Sequence, residues 1–134
     1  MSSLEQALRE RWAASDTLNS LLASTRVVVG QRSKSDLPYV SITRDSSFRK
    51  TQSSSNRIDA TTIRFELYFA DYDDGRALAT ALAKKTPDGL HQDMFDITGD
   101  GRAVSVILEN EGSLQDDRGN WLFIVDFVVT YKRP

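Results

Sequence analysis

The chain has 134 residues, of which 40% are hydrophobic and 27% charged, with a formal net charge of −2. That size and balance suit one domain with a single core, and they argue against a nucleic-acid binder that works through bulk positive charge. Because there is no cysteine, disulfides, thiolate metal sites and thiol nucleophiles are excluded.

The N-terminus reads MSSLEQALRERW. It has no basic segment leading into an apolar core, so a secretory leader is not expected. Ser3 followed by Gln6 reads as a capping box, and Leu4, Leu8 and Trp12 recur at helical spacing. A first helix is expected from Leu4 to Ala14. Ser15 or Asp16 then caps a short second piece carrying Leu18, Leu21 and Leu22. The β-branched run RVVVG, 26–30, predicts a strand ending at Gly30.

LPYVSIT, 37–43, predicts a second strand, with Pro38 confined to its start or to a sheet edge because it lacks an N–H. Next comes RDSSFRKTQSSSNRID, residues 44–59, with Arg44, Arg49, Lys50 and Arg57 against Asp45 and Asp59. Five serines and few apolar side chains fill this segment, so it reads as a flexible, basic, coil-like loop. IDATTIRFELYFA, 58–70, is the clearest strand. Ile63, Phe65, Leu67 and Phe69 alternate with Thr62, Arg64, Glu66 and Tyr68, the period of a half-buried strand.

The period then switches. DYDDGRALATALAKK, 71–85, opens on capping acids, places Leu78 and Leu82 four apart, and closes on two lysines before Pro87 and Gly89, which predicts a helix. AVSVILE, 103–109, and NWLFIVDFVVTYK, 120–132, predict a closing hairpin around Gly112 and Gly119. The simplest arrangement is α+β: one antiparallel or mixed sheet of four to five strands, two main helices on one face, and a single domain over 1–134. The run WLFIVDFVV is far shorter than the roughly 20 residues a spanning helix needs, so no membrane role is expected.

Motifs for chemistry are sparse. His91 is the lone histidine and has no partner set that a sequence reveals. DITGDG, 96–101, echoes the start of a calcium loop, but the twelfth position is Ile107 where a bidentate Glu is required, so a tight turn is the better reading. Asp73 and Asp74 suit a helix N-terminus rather than an acid–base pair. No phosphate-binding, dinucleotide or nucleophile-elbow spacing occurs. Neither catalysis nor any cofactor or metal is expected, and a ligand cleft would have only Tyr39, Tyr68, His91 and scattered carboxylates to draw on.

Two features favour association. In the last strand Trp121, Phe123, Val125, Phe127, Val129 and Tyr131 take one face, while the other, Leu122, Ile124 and Val128, is also largely apolar and broken by Asp126. Either this strand is central and buried on both sides, or another subunit covers its second face. Charge is also segregated. Residues 44–59 sum to +2 and residues 88–120 to −6, a pattern that suits head-to-tail contact between copies, although charged loops are commonly just solvated.

Taken in order, LEQALRERW with LNSLL after it, LPYVSIT, the polar loop, RFELYFADYDDGRALATALA and the closing FVVTYK resemble the phage tail completion or head–tail joining family, relatives of tail terminators. The resemblance implies a homo-oligomeric ring of six subunits. It would sit in the virion at the head–tail junction or the end of the tail tube, after folding in the bacterial cytoplasm. The partners it implies are the tail tube protein and head connector proteins, with non-specific DNA contact in the lumen. It carries no catalytic residues. It also implies a mobile loop that orders on assembly. Arg44, Arg49, Lys50 and Arg57 are then the expected loop contacts, and Leu122, Ile124 and Asp126 the expected sheet-face contacts. The alternative is a nucleic-acid-binding module using the same loop, with Phe48 available for stacking.

Overall fold

The helical spacing of Leu4, Leu8 and Trp12 places all three on one buried stripe of α1, Leu4–Ala14. A computed structural model describes residues 4–30, 37–52, 57–85, 89–92, 95–97, 101–115 and 117–133. Ser3, the expected cap of α1, lies outside them. Ser15 ends the first helix and caps the second, α2, Asp16–Leu21, its side chain accepting the Leu18 N–H. Of the leucines there, Leu18 and Leu22 are buried and Leu21 is exposed. The Trp12 indole N–H donates to the Leu22 carbonyl at 2.9 Å, so the largest core side chain also has its polar group satisfied.

Strands follow as β1, Val27–Val29, β2, Tyr39–Gln52, and β3, Arg57–Phe69. After α3, Tyr72–Leu82, come β4, Phe95–Ile97, β5, Gly101–Gln115, and β6, Trp121–Arg133. They form one six-stranded mixed sheet in the order β1-β2-β3-β6-β5-β4. Among the described strands only β1 runs parallel to its neighbour. The architecture is α+β, as the alternation of periods predicts. The sixth strand, β4, is too short to leave a periodic signal in the sequence.

One expectation is corrected here. Residues 44–52 and 57–59 are not coil-like: the first continue β2, the second open β3, and the two pair with each other. Residues 53–56 lie outside the described part. The reason is tertiary. β3 pairs with β6 along its whole length, from Arg57–Arg133 to Phe69–Trp121. That ladder fixes the β3 backbone, and β2 gains hydrogen bonds by following it, whatever the weak local preference of serine. β2 keeps register with two bulges, at Asp45 and Lys50.

The helices cover one face of the sheet. Under them lie Val40 and Ile42 of β2, Ile63, Phe65 and Leu67 of β3, and Phe123, Val125, Phe127 and Val129 of β6, all buried. Trp12 stacks on Phe65 at 6.2 Å, and Phe65 meets Phe127 edge-on at 5.7 Å. Gly75 lets α3 approach β6, since a Cβ there would collide with the Phe123 ring. Asp71 caps α3, accepting the Asp73 N–H at 3.1 Å. Past its C-terminus the chain folds back, with Leu90 N–H donating to Leu82 O and His91 N–H to Lys84 O, both at 3.1 Å.

Gly89 sits inside that fold-back, where a Cβ would press into the carbonyl oxygens of Ala81, Leu82 and Lys84. Gly89→Ala is expected to lower the unfolding free energy by about 1–3 kcal/mol through overpacking, read from the urea midpoint. Gly112→Ala, where a Cβ meets nothing within 4 Å, should stay within about 0.5 kcal/mol of wild type.

Candidate functional site

The period of two that buries one face of β3 and β6 necessarily presents the other. On that second face lie Thr62, Arg64, Glu66 and Tyr68 of β3, beside Leu122, Ile124, Asp126 and Val128 of β6. Register adds Ile107, Asn110, Gly112 and Leu114 from β5. Leu122, Ile124 and Val128 are half-buried, Ile107 is 43% exposed and Leu114 is 60% exposed. Of the two readings left open for β6, the strand is indeed central, yet its second face keeps an apolar row at the surface.

The polar groups in that row are held. Arg64 lies directly across from Asp126 and donates twice to its carboxylate, Nε to Oδ1 at 2.9 Å and an NH2 nitrogen to Oδ2 at 3.2 Å. Asp126 is buried and Arg64 about one-third exposed. The fork geometry satisfies both carboxylate oxygens, which is what allows a charge to sit in an apolar strand. Tyr68 donates to Glu66 at 2.8 Å and stacks on Tyr39 at 4.6 Å. Burial, and after it the hydrogen bond to Glu66, push the Tyr68 hydroxyl well above the usual tyrosine range.

The expected loop contacts are placed unevenly. Arg44 sits on β2 and bonds Glu5 of α1 at 2.7 Å, so one of its roles is to tie the sheet to the helix layer. Arg49 and Lys50 belong to β2 and Arg57 to β3, on the paired backbone rather than in a loop. Arg49 stands across from Asp59, and Gln52 from Arg57. Leu122, Ile124 and Asp126 share one face of β6 but lie at the other end of the sheet from Arg49 and Arg57. The two expected sets are therefore separate surfaces.

His91 has a structural use: its Nδ1 accepts the Leu108 N–H at 3.1 Å, and Gln92 N–H donates to Val106 O at 2.6 Å. This short segment covers the outer edge of β5 beside Val106 and Leu108. Between α3 and β5 runs a groove of about 350 Å³, floored by Phe123 and walled by Arg76, Thr80, Glu111 and Ser113. Its lining carries one cation, Arg76, and one carboxylate, Glu111. Asp126 was an expected sheet-face contact, but its pairing with Arg64 was passed over in the sequence. Its signal was present, as opposite charges at matching positions of two strands, but only the register brings them face to face.

The chain matches the family described as Tail completion protein gp17 over residues 6–132. No curated protein matches it. Its fold is similar to that of a chain in a solved structure described as the virion of a native gene transfer agent particle. The TM-score is 0.72 at 16% identity, covering 97% of this chain and 95% of that one. At that identity the likeness concerns the fold.

Arg64→Ala would leave the buried Asp126 carboxylate without its fork and should cost about 1–3 kcal/mol at neutral pH, measured by chemical denaturation. Tyr68 sets a second test. The folded state holds its proton more tightly than the unfolded chain. Its contribution is full below the ordinary tyrosine pKa of about 10 and declines as pH rises above it. Urea midpoints should therefore fall more steeply above that pH in wild type than in Tyr68→Phe.

Proposed function

The chain belongs to the tail completion protein gp17 family, and from that premise we propose that it is a structural virion-assembly protein. It forms a homo-oligomeric ring, of six copies by the family resemblance, at the head–tail junction or the end of the tail tube. Its partners are further copies of itself, the tail tube protein and head connector proteins. It works by contact and not by catalysis.

The observation that carries this reading is the apolar row on the second sheet face. Ile107, Leu114, Leu122, Ile124 and Val128 lie at the surface of a sheet whose other face buries Ile63, Phe65, Leu67, Phe123, Val125, Phe127 and Val129 under the helices. Apolar surface of this kind, broken by the satisfied Arg64–Asp126 pair, has the mixed composition of an interface. Leu122, Ile124 and Asp126 are the proposed sheet contacts. Arg44, Arg49, Lys50 and Arg57 are the proposed contacts at the far end, to a neighbour or to DNA in the lumen. A purely nucleic-acid-binding role is the weaker reading, because Arg44 already serves Glu5 and the chain as a whole is acidic.

Ile107→Asp with Leu114→Asp tests the proposal on exposed positions, where stability should change by no more than about 0.5 kcal/mol for each. Native mass spectrometry and sedimentation, alone and with tail tube protein, should show multimers for wild type and their loss in the double variant. A wild type that stays monomeric under every condition, tube protein included, would sink the proposal.

A further inference from the structure

The proposed ring needs a contact that repeats head to tail, and the sheet carries one at its edges. On the β2 side, β1 pairs only with Val40 to Ile42, and Gly30 N–H closes that contact on Ile42 O. Beyond it, residues 43–52 of β2 have no strand on their outer side among the described residues. On the β5 side, β4 pairs with Gly101 to Ala103, and Gln92 and His91 engage Val106 and Leu108. Residues 110–115 of β5 then have no strand on their outer side among the described residues. Unpaired edges of this length are ready templates for another strand.

We propose that residues 43–52 of one copy add as a strand to residues 110–115 of the next, joining the sheets head to tail around the ring. This rests on the ring reading and names its joint. Three observations support it. The first is polarity. β2 is antiparallel to β3, β3 to β6 and β6 to β5, so β2 and β5 run in opposite directions. Copies related by rotation about an axis that the strands run along at a tilt, rather than across, therefore bring these edges together antiparallel, the better-bonded arrangement.

The second is charge. The β2 edge carries Arg49 and Lys50 beside Asp45, with Asp59 across from Arg49, while Glu109 and Glu111 mark the β5 edge and Asp116, Asp117 and Arg118 follow it. Like edges repel each other, and only the unlike pair attracts, which selects head-to-tail over two-fold association. The register that sets Arg49 across from Glu111 also sets Ser47 across from Ser113. Ser47 pairs with Thr61, which shares the helix-side parity of Ile63, and Ser113 pairs with Phe123 on that same side. The two sheets therefore continue with the same face toward their helices.

The third is curvature. The two partly uncovered strands are bulged, β2 at Asp45 and Lys50 and β5 at Val104 and Glu109, whereas the β3–β6 ladder between them has no shift. The bulges lie at matching heights: Arg44 connects through Ile63 and Phe127 to Leu108, and Arg49 through Asp59 and Tyr131 to Ala103. Bulges bend strands and are the device by which sheets curve toward closure. The proposed register shifts each copy by about six residues, or roughly 20 Å along the strands, over four strand spacings of roughly 19 Å in total. That is a strand tilt of about 45°, at the upper end of the range of closed sheets.

The chain has no cysteine, so single cysteines report cleanly. Ser47→Cys and Ser113→Cys variants should each give no dimer alone with a short bismaleimide cross-linker, and a covalent dimer when mixed. Charge reversal supplies the second arm. Arg49→Glu with Lys50→Glu, and separately Glu109→Lys with Glu111→Lys, should each abolish assembly, and an equimolar mixture should restore it by alternation. Wild-type multimers that neither cross-link at this pair nor respond to the reversals would overturn the edge joint while leaving the ring intact. A wild type that never assembles, even with tail tube protein, would overturn both.

Discussion

The structure depends on the unbroken ladder between β3 and β6. Every residue from Arg57 to Phe69 has a partner between Arg133 and Trp121, with no bulge. A ladder of that length fixes two faces for the whole molecule, because side chains alternate strictly along each strand. One face carries Ile63, Phe65, Leu67, Phe123, Val125, Phe127 and Val129, and it recruits α1 and α3. Removing this much apolar surface from water is the main stabilising term, at about 1.5–3 kcal/mol for each large side chain fully buried. The same ladder carries residues 57–59 and, through them, the serine-rich end of β2 into the sheet.

The second face follows from the first and has a different character. It is neither a core nor an ordinary polar surface. Asp126 is buried there only because Arg64 meets it with a two-pronged hydrogen bond, and Tyr68 is shielded by Tyr39 and bonded to Glu66. Around these satisfied groups the aliphatic side chains of β5 and β6 reach the surface. Such a surface tolerates water in the free protomer, since no buried side-chain polar atom among the described residues lacks a partner. It also has apolar area left to exclude water from a contact.

Much of the architecture was legible from pattern. α1 spans Leu4–Ala14 as its apolar spacing predicts, Ser15 and Asp71 cap the helices that follow, and β3 and β6 fall within one residue of their periodic runs. Each of these signals is local: a repeat of side chains, or a capping oxygen next to a free N–H. What was not legible has a non-local cause. β5 runs to Gln115, past the apolar stretch 103–109, because β6 pairs with it as far as Trp121. β4 has three residues and exists through its partner. His91 shows no role in sequence because the group it bonds, the Leu108 N–H, is seventeen residues away.

The sequence by itself determined the fold class, the helices, the buried faces of the long strands and the absence of any thiol chemistry, because these rest on side-chain periodicity and composition. Only the tertiary structure decided that residues 44–52 and 57–59 of the basic segment are drawn into strands, that Arg44 ties to Glu5 and Arg64 to Asp126, and which stretches of β2 and β5 have no strand beside them among the described residues. Those outcomes depend on which backbone groups and charges are brought together across the sheet. No window of sequence contains that information, because strand pairing joins residues by register and not by proximity along the chain.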